Sequence, residues 1–298
     1  MREECETAHV ADEKVAFKRI GILFHPKLPA SLPLGEEIAA FLRERGLSPW
    51  LCSAWDEDEV KGRVCDLDLL LTLGGDGTVL RAARMAARTG VPILAMKVGR
   101  LGFLSEFEPT VWRERLPAIL EGNFWIEERM MLHAEVLRGE NHLNAYEALN
   151  EVVVSRGALA RIVRLATYID GGYMTTYAAD GIIVATPTGS TAYALAAGGP
   201  ILPPELKNIL VIPIAPHLSL DRAIVLSQGA SVRIEVSTDH RAMLTVDGQF
   251  EVAVMDGDNV RVTASAHVAR FIRTRERTYF YRSLMKRLTI NHGEETGE

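Results

Sequence analysis

Apolar positions along the chain fall into two textures. Over the first 130 residues, short apolar runs alternate with stretches of helical spacing. Ile20-Gly21-Ile22-Leu23-Phe24 reads as a buried strand. Glu36 to Arg45 places Ile38, Phe41 and Leu42 on one helix face, and Gly46 ends that helix. Val64 to Leu73 predicts the next strand and Val91-Pro92-Ile93-Leu94-Ala95-Met96 a third. Strands separated by helices pair in parallel through right-handed crossovers. Beyond residue 130 strand signals dominate, in Ala134–Leu137, Glu151–Val154, Leu165–Ile169 and Val232–Val236. The last alternates apolar and charged residues, as a half-exposed strand does. Asp170-Gly171-Gly172 and Asp256-Gly257-Asp258 supply turns between runs. The pattern predicts an α/β N-terminal domain with a Rossmann-like parallel sheet over residues 17–130. A β-rich C-terminal domain, a sandwich or layered sheets, follows over residues 131–274, with a single helix after Gly189. Residues 1–16 are charged and aperiodic and read as a flexible arm. The tail, residues 275–298, is amphipathic from Phe280 to Leu288 and is expected to pack back on the first domain.

The length, 298 residues, suits two domains of ordinary size. A net charge of −6 argues against a general nucleic-acid binder, which carries a basic excess. No apolar run approaches the roughly 18 residues of a membrane span. The acidic, polar N-terminus is unlike a signal peptide. Cys5, Cys52 and Cys65 are odd in number, lack metal-ligand spacing, and fit a reducing cytoplasm as ordinary thiols.

The richest chemistry lies in Gly74-Gly75-Asp76-Gly77-Thr78, between the apolar run Leu69–Leu73 and an amphipathic stretch from Val79 to Arg88. That order reads strand, glycine turn, helix. Glycines let the backbone approach a ligand closely, and a helix N-terminus offers N–H groups and a positive dipole end to phosphate. Asp76 beside phosphates can accept a hydroxyl proton or hold a metal ion. Taken alone, the run is equally a tight turn with Asp76 capping the helix. Neither Gly-x-Gly-x-x-Gly nor Gly-x-x-x-x-Gly-Lys-Ser/Thr occurs, which sets aside ordinary dinucleotide dehydrogenases and P-loop enzymes.

Other constellations carry weaker signals singly. Thr186 to Ala196 follows the apolar run Ile182–Ala185. Its Thr188, Ser190 and Thr191 can cap a helix, and its small residues can let a flat ligand lie on the backbone, with Tyr193 for stacking. A capped helix with a small-residue packing face reads equally well. Asn150-Glu151 opens a strand and suits a sugar hydroxyl pair or an adenine edge, or else solvent. Asp180-Gly181 and Asp247-Gly248-Gln249 read first as turns. Arg161 and His217 are isolated polar candidates.

Together these segments resemble the NAD kinase family. The resemblance rests on Gly74–Thr78, on Gly99-Arg100-Leu101-Gly102-Phe103-Leu104, on Asn150-Glu151, on Asp180-Gly181 with Thr186–Ala196, and on Asp247-Gly248-Gln249. It spans the chain from the first strand to near residue 280. It implies transfer of the ATP γ-phosphoryl group to the 2′-hydroxyl of the adenosine ribose of NAD, giving NADP and ADP. It also implies a divalent metal, normally Mg²⁺, with unassigned ligands, and a homodimer or homotetramer. No nucleic acid or membrane partner is implied. By the same resemblance Asp76 is the base for the 2′-hydroxyl and Gly77 keeps the backbone close to NAD. Gly74, Gly75, Gly77 and Thr78 form the phosphate loop. Asn150 and Glu151 grip the adenosine end, and Asp180 contacts the nicotinamide end, in part from a neighbouring subunit. Thr191, Ala192, Tyr193, Ala194, Leu195 and Ala196 line the dinucleotide, and Arg161 and Gln249 add contacts. The chain departs from many relatives at Lys97, where they carry Asn, and at Ala178, where some carry a basic residue. Polyphosphate stays open as donor, as do NADH as acceptor and feedback by NADP or NADPH. The rivals are a glycine-turn kinase for a lipid or sphingoid hydroxyl and a non-catalytic dinucleotide sensor.

Overall fold

The structure, a computed structural model, describes residues 17–99, 102–157, 162–217 and 221–290. The arm expected over residues 1–16 lies outside these, as do Arg100, Leu101, Arg161 and positions 291–298. The chain divides into two compact units. One takes the chain up to Glu128 and again from Ala269, and the other takes Arg129–Val268.

The first unit alternates strand and helix: β1 (Arg19–Phe24), α1 (Ser31–Glu44), β2 (Ser48–Ser53), α2 (Glu57–Arg63), β3 (Leu69–Gly74), α3 (Asp76–Ala86), β4 (Ile93–Lys97) and α4 (Trp112–Leu120). The strands pair in parallel in the order β2-β1-β3-β4. Every position of β3 is buried, because a parallel strand is covered on both faces, and this is why it reads as an unbroken apolar run. Ile20, Ile22, Leu71, Leu73, Leu94 and Met96 share a core with Ile38 and Leu42 of α1 and Trp112, Leu116 and Ile119 of α4. Each such leucine contributes roughly 1.5–3 kcal/mol by leaving water. Helix α3 buries Val79, Leu80, Ala82 and Ala83 and packs on β3 and β4. Strand β1 neighbours β2 on one side and β3 on the other, so the winding reverses at β1/β3. Ligands of such sheets bind at the carboxyl ends of the strands flanking that reversal, where Gly74 lies.

The second unit is antiparallel. From β5 (Trp125–Arg138) the chain runs through β6 (Asn141–Ala148), β7 (Glu151–Arg156), β8 (Val163–Ile169), β9 (Gly172–Ala179) and β10 (Gly181–Ala185). The one-turn α5 (Tyr193–Ala196) precedes β11 (Asn208–Ile214), β12 (Ile224–Ser227), β13 (Val232–Ser237), β14 (Ala242–Val246), β15 (Phe250–Val254) and β16 (Asn259–Arg273). The last five residues of β16 fall in the first unit, where Phe271 pairs with Ile93 of β4. Helix α6 (Tyr279–Ile290) follows. One sheet of the second unit has the order β12-β11-β10-β7-β14-β15. Its Val152, Val154, Ile182, Val184, Leu244 and Val246 meet Leu165, Val232, Ile234 and Val260 of the remaining strands in one core. Its other face buries Val153, Ile183, Ala185 and Leu210 with Ala194 of α5. Strands β7 and β10 are thus covered on both faces, hence their continuous apolar runs. The fold is an α/β unit with a parallel sheet joined to a β-rich unit.

Three expectations shift. Val64–Asp66 is a 3₁₀ turn and the strand starts at Leu69, because the Asp68 carboxylate accepts the Lys18 and Arg19 N–H groups and fixes the strand entry. Helix α1 begins at Ser31, whose hydroxyl donates to Leu73 O. The single helix expected after Gly189 is a 3₁₀ turn, Gly189–Thr191, broken from α5 at Ala192 (φ −100°, ψ −127°). No helix among the described residues is long and apolar enough to cross a membrane.

Candidate active site

In the first unit β3 ends at Gly74, Gly75 takes an extended backbone (φ −94°, ψ −173°), and α3 starts at Asp76. The turn residues divide by the direction they face. A methyl on Gly74 would collide with the Thr78 side chain, which is fully buried. A methyl on Gly75 or Gly77 would meet no side chain or distant backbone atom of the described residues within 4 Å. Gly74 and Thr78 therefore serve packing, while Gly75 and Gly77 border open space.

Asp76 is held from outside its own turn. Its Oδ2 accepts the Phe103 N–H at 2.9 Å and its Oδ1 the Leu104 N–H at 3.2 Å. A Cβ at Gly102 would overlap the Asp76 carboxylate, so the glycine is there to let the loop close on the acid. An ionised carboxylate has about four acceptor positions, so capacity for a substrate hydroxyl or a cation persists. The loop is closed at its base by Glu106 N–H to Ala95 O and Lys97 N–H to Phe107 O. Lys97, the first departure, pairs with Glu108 at 3.5 Å.

The second unit gathers three of the sequence segments. Asp247 sits at the β14–β15 turn with φ +50°, followed by Gly248 at +61°, positive at both positions as a type I′ turn requires. That turn aims its carboxylate at β7: Oδ2 accepts Leu149 N–H at 2.9 Å, and Oδ1 accepts Asn150 N–H at 2.8 Å and Glu151 N–H at 3.1 Å. The Thr186 hydroxyl donates to Leu149 O at 2.6 Å, and the Thr186 N–H donates to Asn150 O at 2.9 Å. A Cβ on Gly189 would strike the Asn150 carbonyl. Asn150-Glu151, Thr186–Ala196 and Asp247–Gln249 thus form one hydrogen-bonded cluster. Gly189→Ala is expected to lower stability by about 1–3 kcal/mol, since the methyl meets backbone rather than a movable side chain. Denaturant unfolding of the variant measures this, and an unchanged midpoint would show that the contact relaxes freely.

Within that cluster Glu151 is unusual. It is buried, and its Oε2 has no hydrogen-bond partner among the described residues. Burial, then the neighbouring Asp247 charge, push its pKa up to about 8, against which only the Tyr193 N–H favours the charged form. At neutral pH it is a carboxylic acid with an O–H to donate. Tyr193 itself is 46% exposed, and Ala194 is buried beneath it. Ser190 is buried too, its hydroxyl donating to Pro187 O and accepting the Leu202 N–H. Thr191, Ala192, Leu195 and Ala196 are at least partly exposed along this segment.

Asp180 lies elsewhere, at the opposite end of β10 from Thr186, roughly 20 Å away at strand rise. Arg156 grips it, Nε to Oδ1 at 2.8 Å and Nη2 to Oδ2 at 3.2 Å. Ala178, the second departure, stands across from Arg164 in the β8–β9 pair, and its carbonyl accepts the His217 N–H. Arg161 lies outside the described residues. Sequence reasoning named Gly102 and Asp247 only as members of motifs, without the contacts that give them their places, and missed Arg156, since each owes its place to a partner distant in the chain.

Comparison with known proteins returns one answer along nearly the whole chain. The ATP-NAD kinase N-terminal domain matches residues 53–124 and the ATP-NAD kinase C-terminal domain residues 149–274. An NAD kinase of Chloroflexus aurantiacus is 41% identical over 271 residues, 91% of this chain and 98% of that protein. One of Dehalococcoides mccartyi is 39% identical over 277 residues, 93% and 98% of the two chains. Among solved structures, an NAD kinase from Archaeoglobus fulgidus in complex with ATP superposes with TM-score 0.75 at 26% identity, covering 91% of this chain and 98% of that one. Yeast NADH kinase complexed with NADH shares the fold, with TM-score 0.79 at 24% identity over 100% and 98%.

Proposed function

The chain belongs to the NAD kinase family, and on that premise we propose how its residues divide the transfer of the ATP γ-phosphoryl group to the 2′-hydroxyl of the adenosine ribose of NAD. Asp76 orients that hydroxyl and accepts its proton. A ribose hydroxyl is far less acidic than a carboxylic acid, so the proton moves late, as phosphoryl transfer to oxygen develops. In the loose transition state of such reactions, positioning and charge neutralisation do most of the work. The observation that carries this assignment is the clamping of Asp76 by the Phe103 and Leu104 N–H groups beside two glycines that border open space. Gly75 and Gly77 give phosphates access to the backbone at the start of α3. Gly74 and Thr78 shape the loop from inside.

In the β-rich unit, which is our dinucleotide-binding domain, Asn150, Glu151, Gln249 and the stretch Thr191 to Ala196 bind NAD. Support comes from the hydrogen bonds that join these segments: the Asp247 carboxylate accepts the Asn150 and Glu151 N–H groups, and Thr186 bonds Leu149 and Asn150. Asp180 with Arg156 meets the nicotinamide end of a dinucleotide bound by a neighbouring subunit of a homodimer or homotetramer. Its distance along β10 from Thr186 favours that reading. Arg161 adds a contact to NAD. Free Cys52 and Cys65 suit a reducing cytoplasm.

Magnesium fits the first unit through Asp76, whose hard carboxylate oxygens are the donors Mg²⁺ takes from a protein alongside substrate phosphates. When bound, the ion offsets phosphate charge. The cluster Cys52, Asp56 and Glu59 does not fit, because a thiol is a soft donor and Mg²⁺ takes hard oxygen ligands.

Gly77→Ala tests the assignment of the turn. The position is helical and the added methyl meets nothing beyond its own helix among the described residues, so the protein should be unchanged or about 0.5–1 kcal/mol more stable. NADP formation from NAD, ATP and Mg²⁺ should nevertheless fall at least tenfold. Full activity in a stable variant would move the phosphates away from this turn. Running wild type with polyphosphate in place of ATP, and with NADH in place of NAD, sorts donor and acceptor.

A further inference from the structure

The loop that clamps Asp76 is itself clamped. Leu104 donates its N–H to Asp76 Oδ1, and its carbonyl accepts Arg273 Nη1 at 3.0 Å. Arg273 is the last residue of β16, which runs parallel to β4 at Phe271 and Ile93, so its side chain leaves beside the strand end from which the loop departs. The guanidinium is buried and anchored twice more. Its Nε donates to Glu127 at 2.7 Å and its Nη1 to Glu106 Oε2 at 3.3 Å. Glu106 is fixed in turn, its Oε1 accepting the Thr274 N–H and hydroxyl at 2.9 and 2.8 Å and the Arg275 N–H at 3.2 Å. Glycine at 102 leaves no side chain to wedge the loop against the acid. The three Arg273 bonds are buried and charge-assisted, where such bonds are strong and directional, and the bonds from Leu104 to Asp76 and from Glu106 to Thr274 and Arg275 are part-buried.

We propose that Arg273 is a positioning residue for phosphoryl transfer, holding the Leu104 peptide so that its N–H fixes the Asp76 carboxylate toward the reacting hydroxyl. A buried arginine between two glutamates does not need a backbone carbonyl for charge balance, so the Leu104 contact is the part that calls for explanation. A guanidinium can hold both glutamates and the carbonyl at once because its five donors are fixed in one plane, whereas an ammonium lacks that fork. The inference rests on Asp76 acting on the hydroxyl, and its test separates the two.

Arg273→Lys keeps the charge and removes the fork. Its turnover should fall about tenfold, with KM for NAD and for ATP within twofold of wild type. Arg270→Lys, on the same strand but paired at the surface with Glu128, should remain near wild type. In an Asp76→Asn background the lysine substitution should cost less than threefold, since the group it positions is gone. Equal losses in both backgrounds, or a raised KM at unchanged turnover, would make Arg273 a merely structural residue. Should Arg273→Lys not fold, Glu127→Gln keeps the Leu104 bond but loosens the guanidinium. It should lose about threefold in turnover with the same dependence on Asp76, and no loss would overturn the proposal. If Asp76→Asn alone keeps its turnover, the base assignment fails. If Asp76→Asn is impaired and Arg273→Lys is not, only the present inference fails.

Discussion

Asp76→Asn should reduce NADP formation about 10²–10⁴-fold, the range that general-base catalysis supplies, while NAD still binds within about threefold of wild type. The asparagine has nearly the same shape and keeps one acceptor oxygen, but it cannot take the 2′-hydroxyl proton. Its NH₂ would also face one of the two N–H groups that the carboxylate now accepts from Phe103 and Leu104. Losing a hydrogen bond to a charged acceptor costs about 1.5–3 kcal/mol, so a lower melting temperature should accompany the lost turnover. The two effects separate experimentally. Steady-state turnover at saturating NAD and ATP reads the chemistry, and calorimetric titration with NAD at a temperature well below the melt reads binding. Near-full turnover would remove Asp76 from the mechanism. Loss of turnover and NAD binding together would mean that the acid holds the fold of its loop more than it handles a proton.

The glycine turn was legible because its signal is local: a buried parallel strand reads as an apolar run, and glycines followed by a helical pattern fix what comes next. What holds the turn in shape was not. Gly102 is needed only because the Asp76 carboxylate lies against it, and Leu104 finds Arg273 169 positions along the chain. Asp247-Gly248 was readable as a turn from φ-permissive residues, yet the three N–H groups that its carboxylate accepts lie 96 to 98 positions away. Some strands were hidden by their own composition. Strand β2 contains Pro49, which a strand tolerates at a sheet edge, and β11 contains Pro213 near its end. The helix expected after Gly189 broke because Ser190 and Thr186 spend their hydrogen bonds on Leu202, Pro187 and Leu149, which competes with a continuous helix. Burial of Glu151 on both sides of its sheet could not be read from two polar letters before Val152.

Raising the pH from about 5 to 8 should weaken folding by about 3–4 kcal/mol through Glu151 alone, and Glu151→Gln should remove that loss. In the unfolded chain this carboxyl ionises near its ordinary value of 4.5, whereas in the folded protein it holds its proton until about 8. The cause is burial first, then the negative Asp247 held beside it by three backbone N–H groups that Glu151 cannot use. Between those two pKa values the folded state carries one more proton than the unfolded state, so each pH unit costs stability about 1.4 kcal/mol. The stabilisation is therefore whole below pH 4.5, declines through neutrality, and is gone above pH 8. Glutamine has the same shape and cannot ionise, so its variant should unfold in urea at nearly the same midpoint as wild type at pH 5 and clearly later at pH 8. Midpoints that stay parallel across that range would mean that Glu151 ionises normally in the folded protein. The chemical consequence falls on the dinucleotide. On the proposed assignment of Glu151 to the NAD site, the neutral acid below pH 8 should donate a hydrogen bond to a ribose oxygen and add no repulsion to a ligand bearing two phosphates. Above it the same side chain becomes an anion in a buried site, and NAD affinity should fall in wild type while that of Glu151→Gln stays level.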